Sequence, residues 1–128
     1  MAKNELEPVD HVHNYLSDNM DLEKGGVKFD AGKPAFEYID PDFLSEFAMV
    51  LEHGATKYAP RNWENGMRWG RCFGAGMRHM WAFWRGESKD PDTGLSHLAH
   101  AACCIMFLFA YEKRGIGEDD RTSAFDPE

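Results

Sequence analysis

The chain has 128 residues, 22 acids against 14 bases for a formal net charge of -8, and a hydrophobic content of 43%. That is enough to bury one core, and it excludes a general nucleic-acid or membrane-surface binder, because phosphate backbones and anionic lipids require a basic face. A small anionic ligand is not excluded, since a few local cations and a divalent metal suffice to hold one.

Residues 1–26 are polar and weakly periodic, and the first of them show no basic-then-apolar targeting pattern. A flexible arm is the expectation, with His11 and His13 making at most a short helical turn. In GGVKFDAGKP, Gly25 to Pro34, glycines alternate with Lys28, Asp30 and Lys33. Such a loop is either a close approach to phosphates or an ordinary surface turn. It lacks the GxxxxGK[ST] spacing of a P-loop.

The first helix is predicted to start at Asp40–Pro41, with Asp40 as N-cap and Pro41 at its first position. Phe43, Leu44, Phe47, Val50 and Leu51 recur at helical spacing, and Gly54 is a natural stop. In GATKYAPRNWENGMRW, Lys57, Arg61 and Arg68 alternate with Tyr58, Trp63 and Trp69, and Asn62 and Asn65 supply amides. Cations for phosphates, a ring for stacking and an amide for a base edge are what a nucleotide pocket needs. The alternative is a capped loop whose tryptophans pack on the core.

The second helix is predicted from about Trp69 to Arg85, with an apolar stripe of Phe73, Met77, Met80, Trp81 and Trp84. Arg71, Arg78 and Arg85 share one side, and His79 follows Arg78. The loop GESKDPDTG gathers Glu87, Asp90 and Asp92, oxygen donors of the kind hard cations want, although Asp92 or Thr93 can equally cap the next helix. The third helix is predicted from about Leu95 to Arg114 and is apolar nearly all round, as in a bundle centre or a subunit interface. His97 and His100, at i and i+3, fall on one of its faces. Cys103 and Cys104 lie inside it, and with Cys72 they read as buried thiols in a reducing, cytosolic compartment. The apolar run from Ala99 to Tyr111 is too short to span a bilayer. Residues 116–128 read as an acidic, disordered tail. The expected architecture is therefore all-α, a small bundle of three long helices forming one domain over 27–115, with an irregular N-terminal segment and loops.

The segments KFDAGKP, GATKYAPRNWENG and RHMWAFWRGESKDPDTGLSHLAHA resemble the phage dATP/dGTP diphosphohydrolase family (N-terminal type), grouped with the MazG-like all-α nucleoside triphosphate pyrophosphohydrolases. The resemblance covers about Lys28 to Ala110. It implies a homo-oligomeric helical bundle, a dimer or tetramer, in which a divalent metal (Mg²⁺ or Mn²⁺) helps water attack the α-phosphate of a purine dNTP and release pyrophosphate. MazG-like enzymes hold their metal with EExxE on one helix and ExxD on the next. Here EExxE is absent, and ExxD occurs only as Glu87–Asp90, in a loop followed by HxxH.

On the enzyme reading, Glu87, Asp90 and His97 hold the metal, and the catalytic work falls to His79, His100 and Glu87. Lys33, Lys57, Arg61 and Arg78 meet the phosphates, Tyr58 or Trp63 stacks on the base, and Asn62 reads or positions it. The missing EExxE cluster leaves a second reading open, a nucleotide-binding protein without turnover, such as a phage sponge for a host signalling nucleotide.

Overall fold

In the computed structural model, whose described residues are 25–122, the helix α1 spans Pro41–Lys57. Its start is the expected one: the Asp40 carboxylate accepts the Phe43 N–H at 2.8 Å, and Pro41 occupies the first turn. Its end is not. Gly54 stays helical and its carbonyl accepts the Tyr58 N–H at 3.0 Å, so α1 runs to Lys57. The helix α2 spans Trp69–Trp84 and α3 spans His97–Arg114. Among the described residues there is no named strand, and the fold is all-α. No described helix is long and apolar enough to cross a membrane.

The chain divides into two compact units, Met1–Tyr38 and Ile39–Glu128. In the first unit a turn closes with the Lys33 N–H on the Asp30 carbonyl at 3.0 Å, and a 3-10 turn covers Phe36–Tyr38. The arm expected over 1–26, with His11 and His13, lies almost wholly outside the described residues.

In the second unit α3 packs along α2 and also meets α1. Small residues permit the α2–α3 approach: a Cβ on Gly76 would stand 3.2 Å from the Cys104 Cβ. Val50, Ala99 and Cys103 are buried together, with Phe47, Leu51, Leu95 and Phe107 packed on them. Tyr111 is fully buried, and its hydroxyl donates to the Trp63 carbonyl at 2.7 Å. That bond fixes the 3-10 turn Asn62–Asn65 against α3. Gly115 ends α3 in the left-handed conformation (φ 67°), with Lys113 and Arg114 at the negative end of the helix.

Beyond Gly115 the structure departs from the disordered tail expected over 116–128. Residues 116–120 run back along the start of α2. The Trp69 N–H donates to the Glu118 carbonyl (3.0 Å), the Trp69 indole N–H to the Ile116 carbonyl (2.9 Å), and the Gly70 N–H to Asp120 Oδ1 (2.7 Å). Arg68 has no capping side chain, so this strap supplies what the start of α2 lacks. Gly117 is required there, because a Cβ would stand 2.4 Å from the Met67 carbonyl oxygen.

Candidate active site

The loop between α2 and α3 is held by hydrogen bonds from most of its backbone N–H groups. Gly86 (φ 107°) turns the chain out of α2, and Gly94 (φ 73°) turns it back. The Asp90 N–H donates to the Leu95 carbonyl (2.8 Å), the Gly94 N–H to the Asp90 carbonyl (2.7 Å) and the His97 N–H to the Ser88 carbonyl (2.9 Å). Asp90 Oδ1 accepts the N–H groups of Asp92 (2.8 Å) and Thr93 (3.2 Å). The N-cap of α3 is Ser96, accepting the Leu98 N–H at 3.0 Å, not Asp92 or Thr93 as expected.

Three histidines meet beside this loop. His79 comes from α2, and His97 and His100 from the first turn of α3. The His79 and His100 rings stack at 4.5 Å, and His79 Nδ1 lies 2.9 Å from His97 Nδ1. Ligand-type atoms of His79, Asp90 and His97 all lie within 4.8 Å of one another. Glu87, expected in that set, contacts the opposite nitrogen of His97 instead, with Nε2 to Oε1 at 2.7 Å. His100 Nε2 is 2.8 Å from the Thr93 hydroxyl, which also accepts the Leu95 N–H at 3.2 Å.

The electrostatics suit these positions. Burial pushes the His79 and His100 imidazoles below their ordinary value, neighbouring histidines push the same way, and Asp90 opposes the shift. Burial alone would raise the Asp90 carboxyl, but the N–H groups of Asp92 and Thr93 and the nearby histidines outweigh it and hold the carboxyl below its usual range. Neutral imidazoles therefore face an ionised carboxylate near neutral pH.

His97 lies behind the other three members of the cluster, His79, Asp90 and His100, which line a cavity of about 560 Å³. Lys57, Tyr58, Arg61, Asn62, Trp63 and Arg78 line it together with His79, Asp90 and His100. Lys33 belongs to the first unit. The Trp63 ring also packs inward, stacked on Phe107 at 4.9 Å with the Arg114 guanidinium 5.5 Å from its centre, whereas Tyr58 is exposed. Arg61 pairs with Glu64 and sits at φ 60°, a left-handed conformation uncommon for a non-glycine residue. Asn62 Oδ1 lies 3.5 Å from the Asn65 side-chain nitrogen, at the limit of a hydrogen bond.

Sequence reasoning missed Thr93 as the partner of His100, and His53 and Cys104 as wall residues. His53 falls three positions after Val50, so the helical spacing contains that signal. A second cavity, of about 720 Å³, is lined mainly by Trp69, Phe73, Ile105, Leu108 and Phe109. Its charged groups are engaged with one another or with backbone, Arg121 with Glu112 at 3.8 Å and Asp120 with Gly70. The histidine-lined cavity is therefore the candidate for chemistry.

Residues 23–121 match the family model described as dATP/dGTP diphosphohydrolase, N-terminal. A relative from Salmonella phage PMBT28, named a dATP/dGTP diphosphohydrolase, is 41% identical over 103 residues, which is 80% of this chain and 35% of the relative. The chain thus spans about a third of that relative's length. No solved structure matches it significantly.

Proposed function

The chain belongs to the dATP/dGTP diphosphohydrolase N-terminal family, and from that premise we propose that it hydrolyses purine deoxynucleoside triphosphates to the monophosphate and pyrophosphate. The observation that carries the reading is the 560 Å³ cavity, whose walls combine His79, Asp90 and His100 with the cations Lys57, Arg61 and Arg78. Its volume is in the range of about 300–1,000 Å³ common for small-molecule sites.

Lys57, Arg61 and Arg78 neutralise the triphosphate, and the exposed Tyr58 offers its ring to the base, with the Asn62 amide beside it. The donor set of two imidazoles and a carboxylate within 4.8 Å fits a divalent cation, Mn²⁺ better than the Mg²⁺ that the resemblance equally implies. Bound there, the cation supplies an activated water and offsets phosphate charge. His100 takes the proton of the attacking water. With Nε2–H donating to the Thr93 hydroxyl, Nδ1 presents the lone pair, and the lowered imidazole value keeps it available at neutral pH. The water oxygen bonds to the α-phosphorus, and the bridging oxygen leaves with pyrophosphate. The substrate pool is cytosolic, which makes the host cytosol the working compartment.

Incubation of the purified chain with dATP or dGTP and Mn²⁺, followed by chromatography, tests this. Monophosphate and pyrophosphate are the expected products. Arg78→Ala should raise KM about 10- to 100-fold, the loss of one charged hydrogen-bond donor. Tight dNTP binding with no product from any dNTP would replace the hydrolase with a nucleotide sponge.

The working form is a homo-oligomer, a dimer or tetramer. Phe73, Met77, Met80 and Trp84 recur along α2 at helical spacing and are exposed, as are Ile105 and Phe109 of α3. So many large apolar side chains on two adjacent helices are expected to be covered by a second copy. Light scattering at micromolar concentration should return at least twice the 14.6 kDa chain mass, and a monomer would refute the assignment.

A further inference from the structure

Resting on that reading of the site, we propose that His79, Asp90 and His97 form a three-ligand centre selective for a borderline transition cation of the Mn²⁺, Co²⁺ or Zn²⁺ class, with Glu87 orienting His97 rather than binding the ion.

The argument starts from the two imidazoles. Glu87 Oε1 lies 2.7 Å from His97 Nε2, and a carboxylate oxygen accepts, so Nε2 carries the hydrogen. In that tautomer His97 presents its Nδ1 lone pair, and that atom lies 2.9 Å from His79 Nδ1. Without a cation, His79 must place a proton between the two nitrogens. With one, both lone pairs converge on the ion. Two nitrogens bound at about 2.1 Å are separated by about 3.0 Å at right angles and about 3.4 Å at a tetrahedral angle, so the two imidazoles need to part by no more than about half an ångström to share one centre.

Asp90 completes the set. Its Oδ1 is committed to the Asp92 and Thr93 N–H groups, and its Oδ2 stands 3.9 Å from His79 Nδ1. One oxygen locks the side chain to the loop while the other faces the imidazoles. His97 is only 4% exposed, and α2, α3 and the loop each contribute one ligand, so the site is built into the packing of the domain.

The donor chemistry selects the ion. Mg²⁺ demands an oxygen shell and binds imidazole poorly, whereas nitrogen-rich sites favour first-row transition ions in the order Mn²⁺ below Co²⁺ below Zn²⁺ or Cu²⁺. The carboxylate–histidine pair of Glu87 and His97 is the usual support of a metal-bound imidazole, fixing its tautomer and raising its basicity. Glu87 is accordingly a positioning residue.

Cobalt titration of the chelator-treated full-length protein reads the site without turnover. One equivalent of Co²⁺ should generate visible d–d absorption that survives a large Mg²⁺ excess and disappears on addition of Zn²⁺. His79→Ala and Asp90→Asn should abolish the band. Both positions are less buried than His97, and circular dichroism checks that these variants are folded. Glu87→Gln should retain the band and weaken affinity about 10- to 100-fold. No band in the wild type, displacement by millimolar Mg²⁺, or a band untouched in the folded His79 and Asp90 variants overturns the proposal. Complete loss in Glu87→Gln, with Asp90→Asn retained, makes Glu87 the ligand and overturns the assigned set. Pyrophosphate release supported by Mg²⁺ with no cobalt site sinks the centre and leaves the hydrolase standing. A cobalt site with the stated variant pattern, but without hydrolysis of any dNTP, upholds the centre and removes the hydrolase.

Discussion

Replacing His100 with glutamine is expected to slow pyrophosphate release by about 10²- to 10⁴-fold, the range for loss of a positioned general base. Of the three clustered histidines, His97 is pinned by Glu87 and His79 by its Nδ1 contact, whereas His100 touches the loop only through Thr93. It stacks on His79 at 4.5 Å and lines the cavity without belonging to the proposed metal set, which in the proposed reaction leaves it to serve the attacking water. Glutamine keeps a hydrogen bond to Thr93 but cannot take a proton. The cobalt band should therefore persist while kcat falls, with KM little changed. Steady-state kinetics showing a wild-type kcat in a folded His100→Gln protein would assign the proton transfer elsewhere.

The second large effect concerns Trp63. Its ring stacks on Phe107 at 4.9 Å and sits 6.2 Å from Tyr111, and its carbonyl accepts the Tyr111 hydroxyl. Trp63→Ala empties that volume and frees the 3-10 turn. A fully buried tryptophan costs about 3–5 kcal/mol on truncation, and this half-buried one should cost about 2–4 kcal/mol. For a domain of this size that lowers Tm by roughly 10–20 °C. Thermal denaturation followed by circular dichroism checks it. An unchanged Tm, with dNTP affinity reduced by about 1–3 kcal/mol, would return Trp63 to the role of a stacking platform alone.

Trp63 also marks where local sequence ceases to be informative. Of the alternating cations and rings over Lys57–Trp69, Lys57, Tyr58, Arg61 and Trp63 line the cavity with Asn62, Arg78 and His79, whereas Arg68 does not and Trp69 lines the other one. Whether a given ring faces ligand or core depends on Phe107 and Tyr111, more than forty residues away. The helices were legible because their signals are local: the Asp40–Pro41 start and the Gly115 stop lie within one turn of the ends they specify, and the stripe of α2 repeats along the helix's own length. The ExxD motif is ambiguous for a related reason. A loop has no period, so spacing cannot say which carboxylates converge. Glu87 goes to the Nε2 side of His97 and Asp90 to the Nδ1 side. His79 has no sequence neighbour to announce it, and only the close α2–α3 crossing at Gly76 brings it to His97.

The strap at residues 116–120 has a consequence for the order in which the domain is made. The groups that answer the first two N–H groups of α2, the Glu118 carbonyl for Trp69 and Asp120 Oδ1 for Gly70, lie 49 (118 − 69) and 50 residues further along the chain. A ribosome extends the chain from the N-terminus, so α2 emerges with its leading N–H groups unanswered and stays so until α3 and the strap have followed. Such long-range closure slows folding and couples its parts, because loop entropy is lost before the distant contacts repay it. The first turn of α2 is thus free to fray until residues 116–120 have followed it, and its closure is a long-range step of folding.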